Sequence, residues 1–66
     1  MKRRDLVRAI TENGAVLSRQ RGGHDIYRNP ITGAMQPVPR HREIDEFLAR
    51  AIIRALETPE FEESQR

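Results

Sequence analysis

The sequence predicts an α+β domain in the order helix, three antiparallel strands, helix, with both helices on one face of the sheet and the other face left open. Three observations carry that prediction. Apolar residues recur at helical spacing near each end of the chain, the segment between alternates and is broken by turn residues, and 66 residues admit only one thin core. A single layer of helix on a small sheet is the architecture such a chain can fill.

Residues 3–12 read as an amphipathic helix, because Leu6, Val7 and Ile10 share one face and Arg4, Arg8 and Glu12 lie opposite. Asn13-Gly14 stops it, since both residues tolerate the left-handed backbone of a helix C-terminus. Ala15 to Arg21 reads as a first strand with one face partly solvated. Gly22-Gly23 then gives a tight turn or a bulge, and His24 to Arg28 is the second strand, with Ile26 expected inward and Asp25 and Tyr27 on the other side.

Asn29-Pro30-Ile31-Thr32-Gly33 is a reverse-turn signal, and Met35 to Val38 is the third strand. Pro37 and Pro39 lack donors, which assigns this strand to a sheet edge. His41-Arg42-Glu43 is a connector. Asp45 is the expected N-cap of a second helix running to about Glu57, with Leu48, Ala51, Ile52, Ala55 and Leu56 as its apolar stripe and Pro59 as its stop. Met35 and Phe47 read as further core. Residues 1–58 thus form one domain, and 59–66 an acidic tail expected to be disordered, with Phe61 its only apolar anchor.

Composition narrows the function. There is no cysteine, which removes disulfides, thiol catalysis and the common zinc arrangements, and His24 and His41 alone do not make a transition-metal ligand set. No metal or other cofactor is expected. The basic start Met1-Lys2-Arg3-Arg4 is followed by Asp5, Arg8 and Glu12 rather than an apolar run, and no stretch approaches the roughly 18 to 20 apolar residues of a membrane span. The expectation is a soluble, cytoplasmic protein.

Charge is uneven. Residues 1–54 hold eleven Lys or Arg against six Asp or Glu, while residues 55–66 hold one against four. Eleven of the twelve basic residues are arginine, whose planar fork matches phosphate oxygens, so the body suits a polyanion such as nucleic acid. A merely well-solvated surface is the alternative explanation of the same charges.

The run Arg21-Gly22-Gly23-His24-Asp25-Ile26-Tyr27, followed by Pro37-Val38-Pro39-Arg40-His41-Arg42-Glu43-Ile44, resembles the HicA family of toxin components of bacterial toxin-antitoxin systems. The likeness extends from Arg3-Arg4-Asp5-Leu6 through the glycine turn to the second helix. It implies a double-stranded-RNA-binding-like fold, a ribosome-independent mRNA endonuclease activity, one essential histidine that falls on His24, and a cognate HicB-type antitoxin as partner.

The residues support a catalytic His24 on separate grounds. RNA is cut without metal when a base takes the proton of a 2′-hydroxyl, which attacks the adjacent phosphate, and an acid protonates the leaving oxygen. Imidazole side chains can serve either role near neutral pH. Gly22 and Gly23 let backbone come close to a phosphate, and Arg21, Arg28 and Arg40 are candidates to offset its charge. His41, between Arg40 and Arg42, is expected to contact phosphate or structure its loop rather than catalyse. Asp25 is expected to point away from His24, and Tyr27 to be a half-buried strand residue rather than a base-stacking or proton-donating one. A non-catalytic RNA-binding module of the same fold is the competing interpretation.

Overall fold

The structure, a computed structural model, describes residues 1–59. It runs α1 (Arg3–Glu12), β1 (Val16–Arg21), β2 (His24–Arg28), β3 (Met35–Pro39) and α2 (Glu46–Leu56). The strands form one antiparallel sheet in the order β1-β2-β3, with β2 central. This is the expected α+β arrangement and is consistent with a double-stranded-RNA-binding-like domain. The tail expected after residue 58 lies, apart from Pro59, outside the described residues, as does Phe61.

Local chemistry explains the boundaries. At the end of α1 the Gly14 N–H donates to Thr11 O at 3.0 Å and the Ala15 N–H to Ile10 O at 3.0 Å, a paired closure that requires the positive φ of +103° found at Gly14. Asp45 caps α2 through its Oδ2, which accepts from the Leu48 N–H at 3.1 Å. The β1–β2 hairpin turns on two residues, with Gly22 at φ +52° and Gly23 not in the positive-φ region, the sign pattern of a II′ turn. Residues 1–3 also pair with 42–44. Arg3 N–H donates to Arg42 O at 2.9 Å and Ile44 N–H to Met1 O at 2.8 Å, which ties the start of α1 to the connector before α2.

The core is one cluster: Leu6 and Ile10 of α1, Tyr27 of β2, Val38 of β3, Ala49, Ile52 and Leu56 of α2, with Ala15 and Ile44 from the connections. Both helices therefore cover the same side of the sheet. They do not cover all of it, because α2 packs on β3 and on α1 while every residue of β1 is exposed, on both faces rather than on one as expected.

Three expectations about facing are corrected. In β2 it is Asp25 and Tyr27 that face the helices and are buried, while Ile26 lies on the open side. Tyrosine offers more apolar area than isoleucine, and Asp25 is held inside by two arginines, so the strand is phased by these two residues. In α2 the buried stripe is Ala49, Ile52 and Leu56 with Ile53 beside it, and Leu48, Ala51 and Ala55 are exposed. That helix carries apolar residues on two faces, and only one of them meets the sheet. Met35 at 45% exposure and Phe47 at 85% are not core. Met35 belongs to the open side of the sheet and Phe47 to the outer side of the first turn of α2.

Asn29, read from sequence only as a turn starter, is fully buried. Its Nδ2 donates to Leu56 O at 2.8 Å and Thr58 Oγ1 at 2.9 Å, and its Oδ1 accepts from Ile31 N–H at 2.9 Å. Thr58 Oγ1 in turn donates to Asn13 O at 2.8 Å. One amide thus joins the β2–β3 turn to the ends of both helices. Asn29→Ala leaves a buried carbonyl short of its donor and opens this junction, so it should lower unfolding free energy by about 2–3 kcal/mol in a urea titration. A loss under about 0.5 kcal/mol would show that the junction is not structural.

Candidate active site on the open sheet face

The pairing register arranges the uncovered face in three rows. Arg21 is opposite His24, which is opposite Pro39; Arg19 is opposite Ile26, which is opposite Pro37; Val16 is opposite Arg28, which is opposite Met35. Side chains alternate along each strand, so all nine belong to the side away from the helices. Ser18 is the extra residue of a bulge between Leu17 and Arg19, and it re-phases the start of β1 so that Val16 rather than Leu17 shares this face. Arg19, Arg21, His24, Ile26, Met35 and Pro37 line an open concavity of about 460 Å³.

His24 sits at the hairpin end of this face, exposed, and its imidazole has no hydrogen-bond partner among the described residues. Arg21 stands directly across from it. The turn beside it is unobstructed, because nothing lies within 4 Å of where a Cβ would be on Gly22 or Gly23. Arg28 shares the face but is four residues away along β2, about 13 Å at the usual strand rise. Among the described residues Arg19, Arg21 and Arg28 form no salt bridge, and none of the nine residues on the face is acidic.

Two of the proposed phosphate contacts are not part of this cluster. Arg40 turns to the helix side, where its Nε donates to Asp25 Oδ1 at 2.9 Å. Asp25 Oδ2 accepts from Arg3 Nη2 at 2.7 Å, and Arg3 Nε donates to Pro39 O at 2.9 Å. Arg40 is therefore a partner of a buried carboxylate rather than a free cation. His41 is exposed in the connector beyond it and does not line the concavity. Asp25 and His24 point to opposite faces, as expected, and Tyr27 at 8% exposure is a core aromatic that cannot stack on a base.

Arg19, Ile26, Met35 and Pro37 were not singled out from the sequence. A signal for Arg19 was there: a two-residue turn places Arg21 opposite His24, and a residue two before Arg21 must share their face. The apolar members had no such signal, because each was read as core or as a mere edge marker.

An exposed imidazole facing a guanidinium across a strand pair can move a proton beside a bound phosphate while the cation offsets the anion's charge. Among the described residues no three His, Cys, Asp or Glu side chains gather where a metal ion could be held, and no helix is long and apolar enough to cross a membrane.

Among the described residues, an uncovered, arginine-bearing sheet face with one histidine lies on a helix-backed, three-stranded α+β domain. A family model described as the HicA toxin of bacterial toxin-antitoxin systems matches residues 3–57, and the chain belongs to that family, whose members act as toxins opposed by an antitoxin partner. No curated protein and no solved structure matches the chain.

The Asp25 carboxyl has a signed pH consequence. Burial by itself raises its pKa, but the hydrogen bond and charge of Arg40, then the charge of Arg3, with a smaller contribution from the neighbouring Gln20 side chain, outweigh burial and hold it below the ordinary carboxylate range. A depressed folded-state pKa contributes stability that is present above the unfolded value, near 4, and lost as pH falls through the folded value. The urea midpoint of the wild-type protein should therefore fall more between about pH 6 and pH 3 than that of Asp25→Asn. Parallel curves for the two proteins would remove Asp25 as a source of acid sensitivity.

Proposed function

We propose that this HicA-family chain is a metal-independent, ribosome-independent mRNA endonuclease that acts in the cytoplasm, with His24 as its general acid/base. The observation that carries this is the position of His24 among the described residues: exposed, without a protein partner, and across the ladder from Arg21 on a face to which none of them contributes a carboxylate.

In the proposed step the neutral His24 imidazole takes the proton of a ribose 2′-hydroxyl. The freed oxygen attacks the adjacent phosphorus, the bond to the 5′-oxygen of the next nucleotide breaks, and that oxygen leaves with a proton from the imidazolium or from water. The products are a 2′,3′-cyclic phosphate and a 5′-hydroxyl, and no oxidant or metal is consumed. Arg21 is placed to hold the phosphate and offset the charge that builds on its free oxygens. Arg19 and Arg28 extend the positive surface along the strand direction. Gly22 and Gly23 contribute by being small. Since a single acid/base group typically contributes about 10² to 10⁴-fold, turnover should be slow.

The partner in this reading is a HicB-type antitoxin that covers the open face. The face suits neutralisation by occlusion, because the cations that hold RNA are the charges an acidic partner surface would meet.

The test is cleavage of labelled single-stranded RNA by purified protein in the presence of a chelator. His24→Ala should cut at least about 100-fold more slowly while unfolding at the wild-type urea midpoint, since the residue is exposed. Equal cleavage by His24→Ala would falsify the catalytic assignment. If wild-type protein binds RNA but does not cut it, the same face is a binding surface only. RNA affinity should also fall steeply between about 50 and 500 mM salt, as counterion release at phosphate contacts requires.

A further inference from the structure

We propose that Ile26, Pro37 and Met35 form the seat for one unpaired nucleobase, next to the phosphate held at His24, and hence that the ligand of this face is single-stranded RNA. The inference rests on the RNA-directed reading above and goes beyond it by assigning a binding role to three residues and a strandedness to the substrate.

The geometry of the rows carries it. Ile26 and Pro37 are direct ladder partners and lie one row from His24 and Pro39, so an apolar step adjoins the histidine. Met35 lies one row further on the same edge strand and lines the same concavity. Met35 at 45% exposure is an apolar side chain that the fold leaves in water. The step between rows is two residues of strand, about 6.6 Å, which is within reach of a base whose own phosphate sits at the first row. Cations flank the floor, Arg19 beside Ile26 and Arg28 beside Met35.

An aliphatic floor with positive charge at its margins has the complement of a nucleotide, which joins an apolar ring face to an anionic phosphate. A methionine thioether makes favourable contacts with aromatic rings, and the proline ring offers a flat, rigid patch. A base paired within a duplex has both faces stacked on its neighbours and cannot lie on such a floor, whereas an unstacked base in a single strand can. An acidic protein segment would satisfy the arginines but makes no particular use of an aliphatic floor between them. The seat reads a ring face and not its edge, so base preference from it should be weak.

The experiment measures binding of a fluorescent single-stranded RNA of about ten nucleotides, and of the matched duplex, to His24→Ala protein so that no turnover interferes. Met35→Ser and Ile26→Thr should each weaken single-strand binding roughly fivefold, the loss expected for a half-buried apolar contact, without changing the slope of affinity against salt. Arg19→Gln should instead lower that slope by about one. The duplex should bind more weakly than the single strand at equal salt. As a second measurement that leaves the protein untouched, a fully abasic strand of the same length should bind weaker by the same factor, whatever register it takes.

Unchanged single-strand affinity in Met35→Ser and Ile26→Thr, a duplex bound as tightly as the single strand, or a fully abasic strand bound as tightly as the intact one would each overturn the proposal. Variants that keep RNA affinity but lose the antitoxin would assign the floor to a protein partner instead, and overturn it as well. The catalytic reading is scored separately, by cleavage with wild-type and His24→Ala protein, and its failure leaves the binding outcomes decisive for the seat.

Discussion

The carboxylate of Asp25, held between Arg3 and Arg40, is the constraint on which the arrangement of the rest depends. A carboxylate placed under the helices is tolerable only with charged donors at both oxygens, and here α1 supplies one and the segment after β3 supplies the other. The triad therefore joins the first helix, the central strand and the far edge of the sheet at one point. It also fixes which side of β2 faces inward. With Asp25 inside, strand alternation puts His24 outside, so a buried carboxylate with two part-buried arginines determines that the histidine is presented to solvent. Arg3 reinforces this by bonding to the carbonyl of Pro39, the ladder partner of His24. The inner face acts as the positioning layer for the outer one.

A second polar junction does the equivalent at the opposite end. Asn29 gathers the β2–β3 turn and the C-terminal ends of both helices into one hydrogen-bonded knot. The pattern is expected for so short a chain. Among the described residues the core is small, nine side chains, and one strand is exposed on both sides, so apolar burial is supplemented by a few hydrogen-bonded buried polar groups that specify where the elements meet. The face that bears His24 contributes little to that core, which leaves its side chains free to be set by binding.

Much of this was legible in the sequence, and the limits have a physical pattern. Features encoded within a few neighbouring residues were readable: the Asn13-Gly14 stop, the Gly22-Gly23 turn, the Asp45 cap, the edge position of the proline-bearing strand. Features that need contacts between distant segments were not. The facing of β2 follows from Arg3 and Arg40, which are 22 and 15 residues from Asp25, and a hydrophobicity rule that sends isoleucine inward cannot see them. The same distance hid the clamp at Asn29. In α2 the apolar positions outnumber those one buried stripe needs, so periodicity offered two registers and packing chose Ala49 over Leu48. At the site, His24, Arg21 and the glycine turn were readable because they adjoin one another. The pairing of Arg40 with Asp25 was hidden because its partner lies 15 residues away, and Ile26, Met35 and Pro37 were passed over because each was credited to the core or read as an edge marker.

The two prolines of β3 have a further effect on how the molecule behaves among copies of itself. Alternate residues of an edge strand turn their backbone groups outward, and at Pro37 and Pro39 there is no N–H to offer. That border of the sheet is a poor template for another strand, while the β1 border retains its donors and carries Arg19 and Arg21. A sheet that can be extended from one border only can join a single additional strand and then stop. Fibre growth requires two open borders on every copy, so an exposed, half-covered sheet of this kind is terminated by its own sequence rather than by burial.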